Sequence, residues 1–436
     1  MDDIQATQLQ QRQLEQVVTT LRVEVVDGPD RGKNATSTDT LALGTAKDND
    51  LVASDFTVSR YHVEIKVRAA GIEVADLGST NGTYIGAVRV ERAIVPLGTL
   101  VKLGGTTVRV SDAEKRTVKL DGRSHELAGM LACSPQMLKL FEDVERVAAT
   151  PTSVLVVGES GTGKERVAEA LHARSPRARD PFVTIDCGAL ASTLLASELF
   201  GHERGAFTGA DRVHQGAFER AESGTLFLDE IGEMPPPDQV ALLGVLERRR
   251  FRRVGGTQEL ELGARVIAAT NRDLRAEVNN GRFRADLYHR LAVVVMRLPP
   301  LRERREDIPL LVEHFARELG AEGTIETIFG DDLLARWQRH SWPGNVRELR
   351  NAVEAAIVIG VAPGNGTGEL QAIQDGASGP LPPYKDARAH VVGDFERQYL
   401  TRLMAETAGN VSRAARAARM DRSHLIDLLH RHGLKG

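Results

Sequence analysis

From Leu21 to Val110 apolar and polar positions alternate in short runs, "LRVEVV", "LALG", "YHVEIKV", "IEVADL", "TYIG" and "LVKLGGTTVRV", separated by Asp-Gly, Gly-Gly and Asn-Gly turns. Period two at this spacing gives each run one buried face, which predicts an all-β sandwich. Charged "SDAEKR" then opens a seam, 111–131, to which the pattern assigns no element. From Ser134 to Val361 the period changes. Apolar runs "SVLVV", "FVTIDC", "TLFLDE" and "ARVIAATN" alternate with amphipathic stretches, the first starting at Lys164. Such alternation predicts an α/β domain with a parallel sheet and crossover helices. "APGNGTG" and "GASGPLPP" form a Gly/Pro-rich linker, and the segment beyond it reads as three helices.

Composition narrows the setting. A chain of 436 residues with 42% hydrophobic and 27% charged positions has room for several globular domains and is neither fibrous nor disordered. Its net charge of -4 leaves no whole-chain footprint for nucleic acid, so a basic binding surface must be local. Cys133 and Cys187 stand alone without a CxxC or Cys/His cluster, which argues against a disulfide scaffold or a zinc site. The longest apolar runs, "LAVVVM" and "AAIVIGVA", are too short to span a bilayer, and the first residues are polar and acidic. The expectation is a cytoplasmic protein without a membrane partner.

The chemistry begins where "SVLVV" runs into "GESGTGKE". Gly158-x-x-x-x-Gly163-Lys164 between a strand and a helix is a phosphate loop: residues Glu159, Ser160, Gly161 and Thr162 turn backbone N–H groups inward, and Lys164 reaches the β and γ phosphates of ATP. Glu165 stands where Ser or Thr often holds Mg2+, so the metal must rely on Asp229, which ends the strand "TLFLD". Glu230 follows and is placed to polarise the attacking water. Asn271 ends "ARVIAAT" and could orient that water or sense the γ phosphate, Arg284 and Arg290 lie six apart on a predicted helix, and Arg347 opens a helix after "SWPGN". Taken alone, Arg284 and Arg290 read as solvated surface, whereas Arg347 could reach back to the phosphates as a lid contact.

Between the two halves of this site lies "HERGAFTGADR", with Phe207 among small residues. The stretches "GESGTGKE", "ELFGHERGAFTGA", "GTLFLDE", "ATNRDL", "FRADLYHRL", "PLRER" and "WPGNVREL" together resemble the AAA+ domain of bacterial sigma-54-dependent transcription activators over about Ser134 to Val361. The resemblance implies ATP hydrolysis in a ring, commonly a hexamer, with Arg284 and Arg290 acting on a neighbour's nucleotide. It also implies that Gly205, Ala206, Phe207, Thr208, Gly209 and Ala210 form the loop that contacts sigma-54 on the RNA polymerase holoenzyme, Phe207 and Thr208 being the contact pair. One position departs from the pattern: Asp186 stands where the family often has an Asn that restrains the catalytic glutamate, and two carboxylates share no hydrogen bond without a proton or water between them.

The tail, "GNVSRAARAARM" with "DRSHLIDLLHRHGL", resembles a Fis-type helix-turn-helix for upstream DNA, with Arg413 and Arg416 near phosphates and Arg422, Ser423 and His424 near base edges. The sandwich resembles a forkhead-associated domain, a phosphothreonine reader, through "VSRYHVEI" and "DLGSTNGTYI". That likeness implies Ser59, Arg60, Thr80 and Asn81 as a phosphopeptide grip, serving a phosphothreonine protein or a Ser/Thr kinase. Thr45 replaces the usual arginine after Gly44, which implies weak binding, or a domain that packs on a partner or on the ATPase ring. The expected layout is an extension over 1–18, sandwich 19–112, linker 113–132, ATPase domain 133–318, helical lid 319–362, linker 363–384 and DNA-binding domain 385–436. Rival readings are a DNA-binding repressor that does not touch sigma-54, which needs neither the loop nor both arginines, and a general AAA+ remodeller, which needs no DNA-binding tail.

Overall fold

The computed structural model of the protein describes residues 14–37, 40–68, 71–120, 126–189, 192–321, 329, 331–359, 400, 403, 404, 407, 411–418, 420, 425 and 429. The chain divides into two compact units, Met1–Leu311 with Ala335–Leu349, and Val312–Leu334 with Arg350–Gly436.

In the first unit the alternating runs form the expected sandwich. One sheet orders Asn34–Ser37, Leu14–Asp27, Thr106–Leu120, Leu100–Leu103, Thr83–Ile85 and Val88–Val90. The other orders Leu51–Val52, Thr40–Gly44, Val63–Arg68, Gly71–Asp76 and Arg92–Val95. Alternate residues such as Val23, Val25, Leu41, Leu43, Val63, Ile65, Val108 and Val110 meet in one core, as period-two patterning requires. Two boundaries differ from the sequence reading. The strand Leu14–Asp27 starts inside the segment read as an extension, and its partner Thr106–Leu120 runs on into the segment read as a linker, Leu14 pairing with Leu120. Backbone pairing carries these ends, so "SDAEKR" shows no apolar period. The rest of that seam includes a small hairpin, Glu126–Leu127 with Met130–Leu131, whose Leu127 and Met130 pack against the helix Pro135–Ala148.

The α/β domain is built on a parallel sheet ordered Phe182–Asp186, Thr225–Asp229, Arg265–Thr270, Val154–Val157 and Val294–Arg297. The last strand comes from "LAVVVM", an apolar run too short to span a bilayer that here lines the edge of the sheet. The first strand in the chain thus lies between the fourth and fifth, and the carboxyl ends of all five open on one edge, where ligands bind in open α/β sheets.

Arg265 begins a central strand and is 2% exposed. It donates from Nε to Thr152 O at 3.1 Å, from Nη1 to Ala148 O at 3.0 Å and from Nη2 to Val147 O at 3.0 Å. The last two carbonyls belong to the end of the helix Pro135–Ala148, so the cation faces the negative end of a helix dipole. Burial pushes its pKa down to about 10, which still leaves it charged at neutral pH.

In the second unit the described residues include the helix Val411–Ala417 and a small core of Leu400, Leu403, Ala414, Ala415, Leu425 and Leu429. The linker 363–384 and the residues Arg422, Ser423 and His424 lie outside the described residues, as do residues 1–13. Among the described residues no helix is long and apolar enough to cross a membrane.

Arg265→Met takes the guanidinium from Thr152 O and Ala148 O, while Val147 O keeps the Thr150 N–H and hydroxyl. It is expected to lower the stability of the α/β domain by about 3 kcal/mol, read as a fall in its denaturant midpoint.

Candidate active site

The strand Val154–Val157 ends in the phosphate loop, and the helix Lys164–Ala173 follows. Gly161 and Gly163 hold φ of 76° and 107°, a left-handed conformation that glycine adopts without a Cβ penalty. Lys164 is 7% exposed; its Nζ donates to Gly158 O at 3.1 Å and stands 3.3 Å from Glu230 Oε1. The other oxygen of Glu230 accepts from the Asn271 backbone N–H at 3.2 Å. Glu230 itself sits at φ 47°, so the chain turns sharply at the end of the strand and swings this carboxylate across the sheet edge. Lys164, Glu230 and Asn271 are therefore brought together.

Asp229 accepts the Glu230 N–H at 2.9 Å. Burial pushes its carboxyl above the ordinary Asp range, and the charges of Glu230 and Asp186 add to that. A carboxylate in this position gains from a cation, which fits it to hold Mg2+. Asp186 is its cross-strand neighbour, but its Oδ1 accepts from Gly188 N at 2.8 Å and Ala189 N at 3.1 Å. It caps its own turn, and the hydrogen bonds of Glu230 go to Lys164 and Asn271 instead.

Residues that sequence reasoning missed hold the phosphate loop from behind. Arg302 forks onto Glu159 at 2.8 and 2.6 Å, which draws the Glu159 pKa below the usual range. Asn345 donates to Glu159 Oε2 at 3.2 Å and Ser160 O at 3.0 Å while accepting the Leu301 N–H at 2.8 Å. Buried Arg304 donates to Thr162 O at 2.9 Å. Arg347, predicted to reach the site, donates to Ser160 Oγ at 3.4 Å. A Cβ on Gly161 would come within 2.3 Å of Gly344 O, so the two turns approach as bare backbone. "PLRER" and "WPGNVREL" carried this signal only as family stretches, without a role for each residue.

Arg284 and Arg290 do not join this cluster. Arg284 precedes the helix Ala285–Leu291 and forks onto Asp286 at 3.0 and 2.7 Å; Arg290 donates to Leu246 O at 3.1 Å.

The loop 202–214 is a closed hairpin. His202 and His214 exchange backbone hydrogen bonds of 3.0 Å, and Gly205 N donates to Ala210 O at 2.8 Å. Gly205 and Gly209 hold φ of 81° and 99° at its two sides. Phe207 is 39% exposed, and its ring meets His202 edge-on at 4.9 Å, a contact that periodicity did not foresee. Arg253 pins the base, binding Glu203 at 2.9 Å and Glu219 at 2.8 and 2.7 Å.

In the sandwich, Ser59 Oγ accepts from Thr80 N at 3.0 Å, and Asn81 donates to Thr57 O at 2.7 Å. Ser59, Thr80 and Asn81 thus share one end, with Arg60 exposed beside them and Thr45 N bonded to Ser59 O at 3.0 Å. Arg413 is exposed on its helix, and Arg416 lies on the same helix.

A phosphate loop, an acidic strand end and a polar strand end on a five-stranded parallel sheet of this order, with helices after it, define an ATPase of the AAA+ class. Two family profiles agree, "Sigma-54 interaction domain" over residues 130–297 and "AAA+ ATPase lid domain" over 302–367, and a third, "Inner membrane component of T3SS, cytoplasmic domain", matches the sandwich at 24–114. Transcriptional regulatory protein GlrR of Escherichia coli (strain K12) is 46% identical over 302 residues, 69% of this chain and 67% of that protein. Regulatory protein AtoC of the same strain is 51% identical over 238 residues, 54% of this chain and 51% of that protein. The crystal structure of NtrX from Brucella abortus in complex with ADP shares 36% identity at a TM-score of 0.50, covering 72% of this chain and 70% of that one. The chain belongs to the family of sigma-54-dependent transcriptional regulators.

Because burial raises the folded-state pKa of Asp229 above its unfolded value, ionising it costs stability at any pH above that raised value. Asp229→Asn is therefore expected to raise the thermal midpoint at pH 7.5 while abolishing ATP turnover. The gain in midpoint should shrink as the pH falls toward the carboxylate range, where the wild type also becomes neutral.

Proposed function

We propose that the chain hydrolyses ATP in a ring, as a hexamer, to remodel the closed complex of sigma-54 RNA polymerase, while the tail holds it on upstream DNA and the sandwich regulates it. The observation that carries this reading is the effector hairpin. An exposed Thr208 and a half-exposed Phe207 sit between two left-handed glycines, on a chain segment inserted between the adjacent strands Phe182–Asp186 and Thr225–Asp229. The second of those strands ends at Asp229 and leads into Glu230. An aromatic on glycine pivots offers a large contact area at small ordering cost.

At the site, backbone N–H groups of 158–163 and the start of the helix Lys164–Ala173 would cradle the triphosphate, with Glu165 beside them in the first turn. Asp229 would hold Mg2+, which supplies charge neutralisation on the phosphates. Lys164 is the natural competitor for both Glu230 and phosphate: turning to the phosphates, it leaves Glu230 to take the proton of the attacking water, with Asn271 beside it. Arg284 and Arg290 would complete a neighbour's site, and Arg347 would contact nucleotide over Ser160. In the tail, Arg413 and Arg416 would face phosphates and Arg422, Ser423 and His424 base edges. The layout proposed is a sandwich, an ATPase domain of 133–318 with a lid of 319–362, and a DNA-binding domain of 385–436.

Lys164→Ala is expected to abolish ATP turnover. Thr208→Ala should keep most of it yet lose open-complex formation in transcription with sigma-54 polymerase. Full activation by the Thr208 variant would exclude the proposed contact.

Turnover should also rise faster than linearly with protein concentration, and mixing Arg290→Ala with Lys164→Ala subunits should restore part of it. Turnover that is strictly proportional to concentration in a monomeric sample would exclude a shared site.

A further inference from the structure

Three loops gather at one end of the sandwich, 45–50, 53–62 and 77–82, and they carry the residues expected to grip a phosphopeptide. All three also face the ATPase domain. Tyr61 and Leu77 belong to the same buried cluster as Leu274, Val278 and Leu287, with Ala46 packed against it. The Tyr61 ring stands edge-on to Tyr288 at 5.6 Å, and its hydroxyl donates to Asp48, whose carboxylate lies 3.8 Å from His289. Asn279 donates to both Tyr61 O and Leu77 O, the latter at 2.8 Å. Behind the loops Glu64, 3% exposed, is paired with Arg275, itself 7% exposed, and with Arg297 at 3.1 Å. Burial would raise the Glu64 pKa, but Arg275, Arg297 and Lys66 hold it down at about 2. Arg68 binds Glu303, next to the Arg302 that grips the phosphate loop.

Buried charges on both sides, each satisfied by the other, mark an evolved contact surface, since either one alone would be costly to bury. Thr45, at the position where the resemblance expects an arginine, has its backbone inside this loop end, and Ser59 and Asn81 spend hydrogen bonds on neighbouring loops. We propose that the loop end of the sandwich is a docking surface for the chain's own ATPase domain, and that docking acts as a brake by holding the helices Leu274–Asn279 and Ala285–Leu291. The second of these helices is flanked by Arg284 and carries Arg290, so the effect on turnover rests on the reading that these arginines serve a neighbour. Docking itself does not rest on that reading.

The test uses the full chain. Glu64→Arg should raise hydrogen exchange in 274–291 by about two decades, as expected when one partner of a buried pair is removed. The double variant with Arg275→Glu should restore much of the protection, which a merely misfolded sandwich would not do. Asp48→Cys with His289→Cys changes two half-exposed residues, so it keeps the core intact. Joined by a short cleavable thiol crosslinker, it should link efficiently and turn over ATP severalfold more slowly until cleaved. Unchanged exchange in Glu64→Arg together with no crosslinking would overturn the docking. Efficient crosslinking without a change in turnover would overturn the brake, and loss of the concentration dependence of turnover in the wild type would point instead to failure of the shared-site reading.

Discussion

Lys164 and Glu230 are 66 positions apart and follow strands that are not neighbours, yet their charges meet at 3.3 Å. A parallel sheet makes this possible, because every strand delivers its following residue to the same edge. The strand between them is followed by Asn271, whose backbone N–H donates to the second oxygen of Glu230. Nothing else in the site has its meaning without this bridge. It joins the end of the phosphate loop to the left-handed turn at Glu230, next to the half-buried carboxylate of Asp229.

Such a bridge works only if the phosphate loop stays where the strand leaves it. Glycines give the loop its shape but no rigidity, and the rigidity comes from elsewhere in the chain. Arg302 is bidentate on Glu159, Arg304 caps Thr162 O, and Asn345 ties Glu159, Ser160 and Leu301 together. Bidentate and charge-assisted hydrogen bonds fix orientation as well as distance. The hairpin 202–214 follows the same design: left-handed glycines stand at its sides, while Arg253, held by two glutamates, anchors the base.

The sandwich shows how far one polar position can depend on its surroundings. Along Val63–Arg68, Val63 and Ile65 face the sandwich core, so Glu64 belongs to the outward face. It is nevertheless almost completely buried, because the ATPase domain lies over that face and supplies Arg275 and Arg297. A carboxylate there is neutralised by two modules at once, and its ionisation is favoured only while both are in place.

Local pattern was enough to determine most elements and to single out the candidate nucleotide residues. Period-two runs give the sandwich, apolar runs with flanking helices give the parallel sheet, and glycines with Lys164 and Asp229 declare phosphate and metal chemistry without any partner being known. What local pattern does not hold is which distant groups answer each other. The edge strand Val294–Arg297 was a bare apolar run until the sheet gave it a neighbour, and the end of Thr106–Leu120 had no apolar period because pairing with Leu14–Asp27 sustains it. Asp186 lay opposite Asp229 with no stated outlet for its charge until its turn supplied two N–H groups. Arg302, Asn345, Arg275 and Glu64 are ordinary surface residues by type and spacing. Only the tertiary structure gives them partners, since ion pairs and hydrogen bonds are fixed by distances of a few ångströms that positions along the chain do not encode.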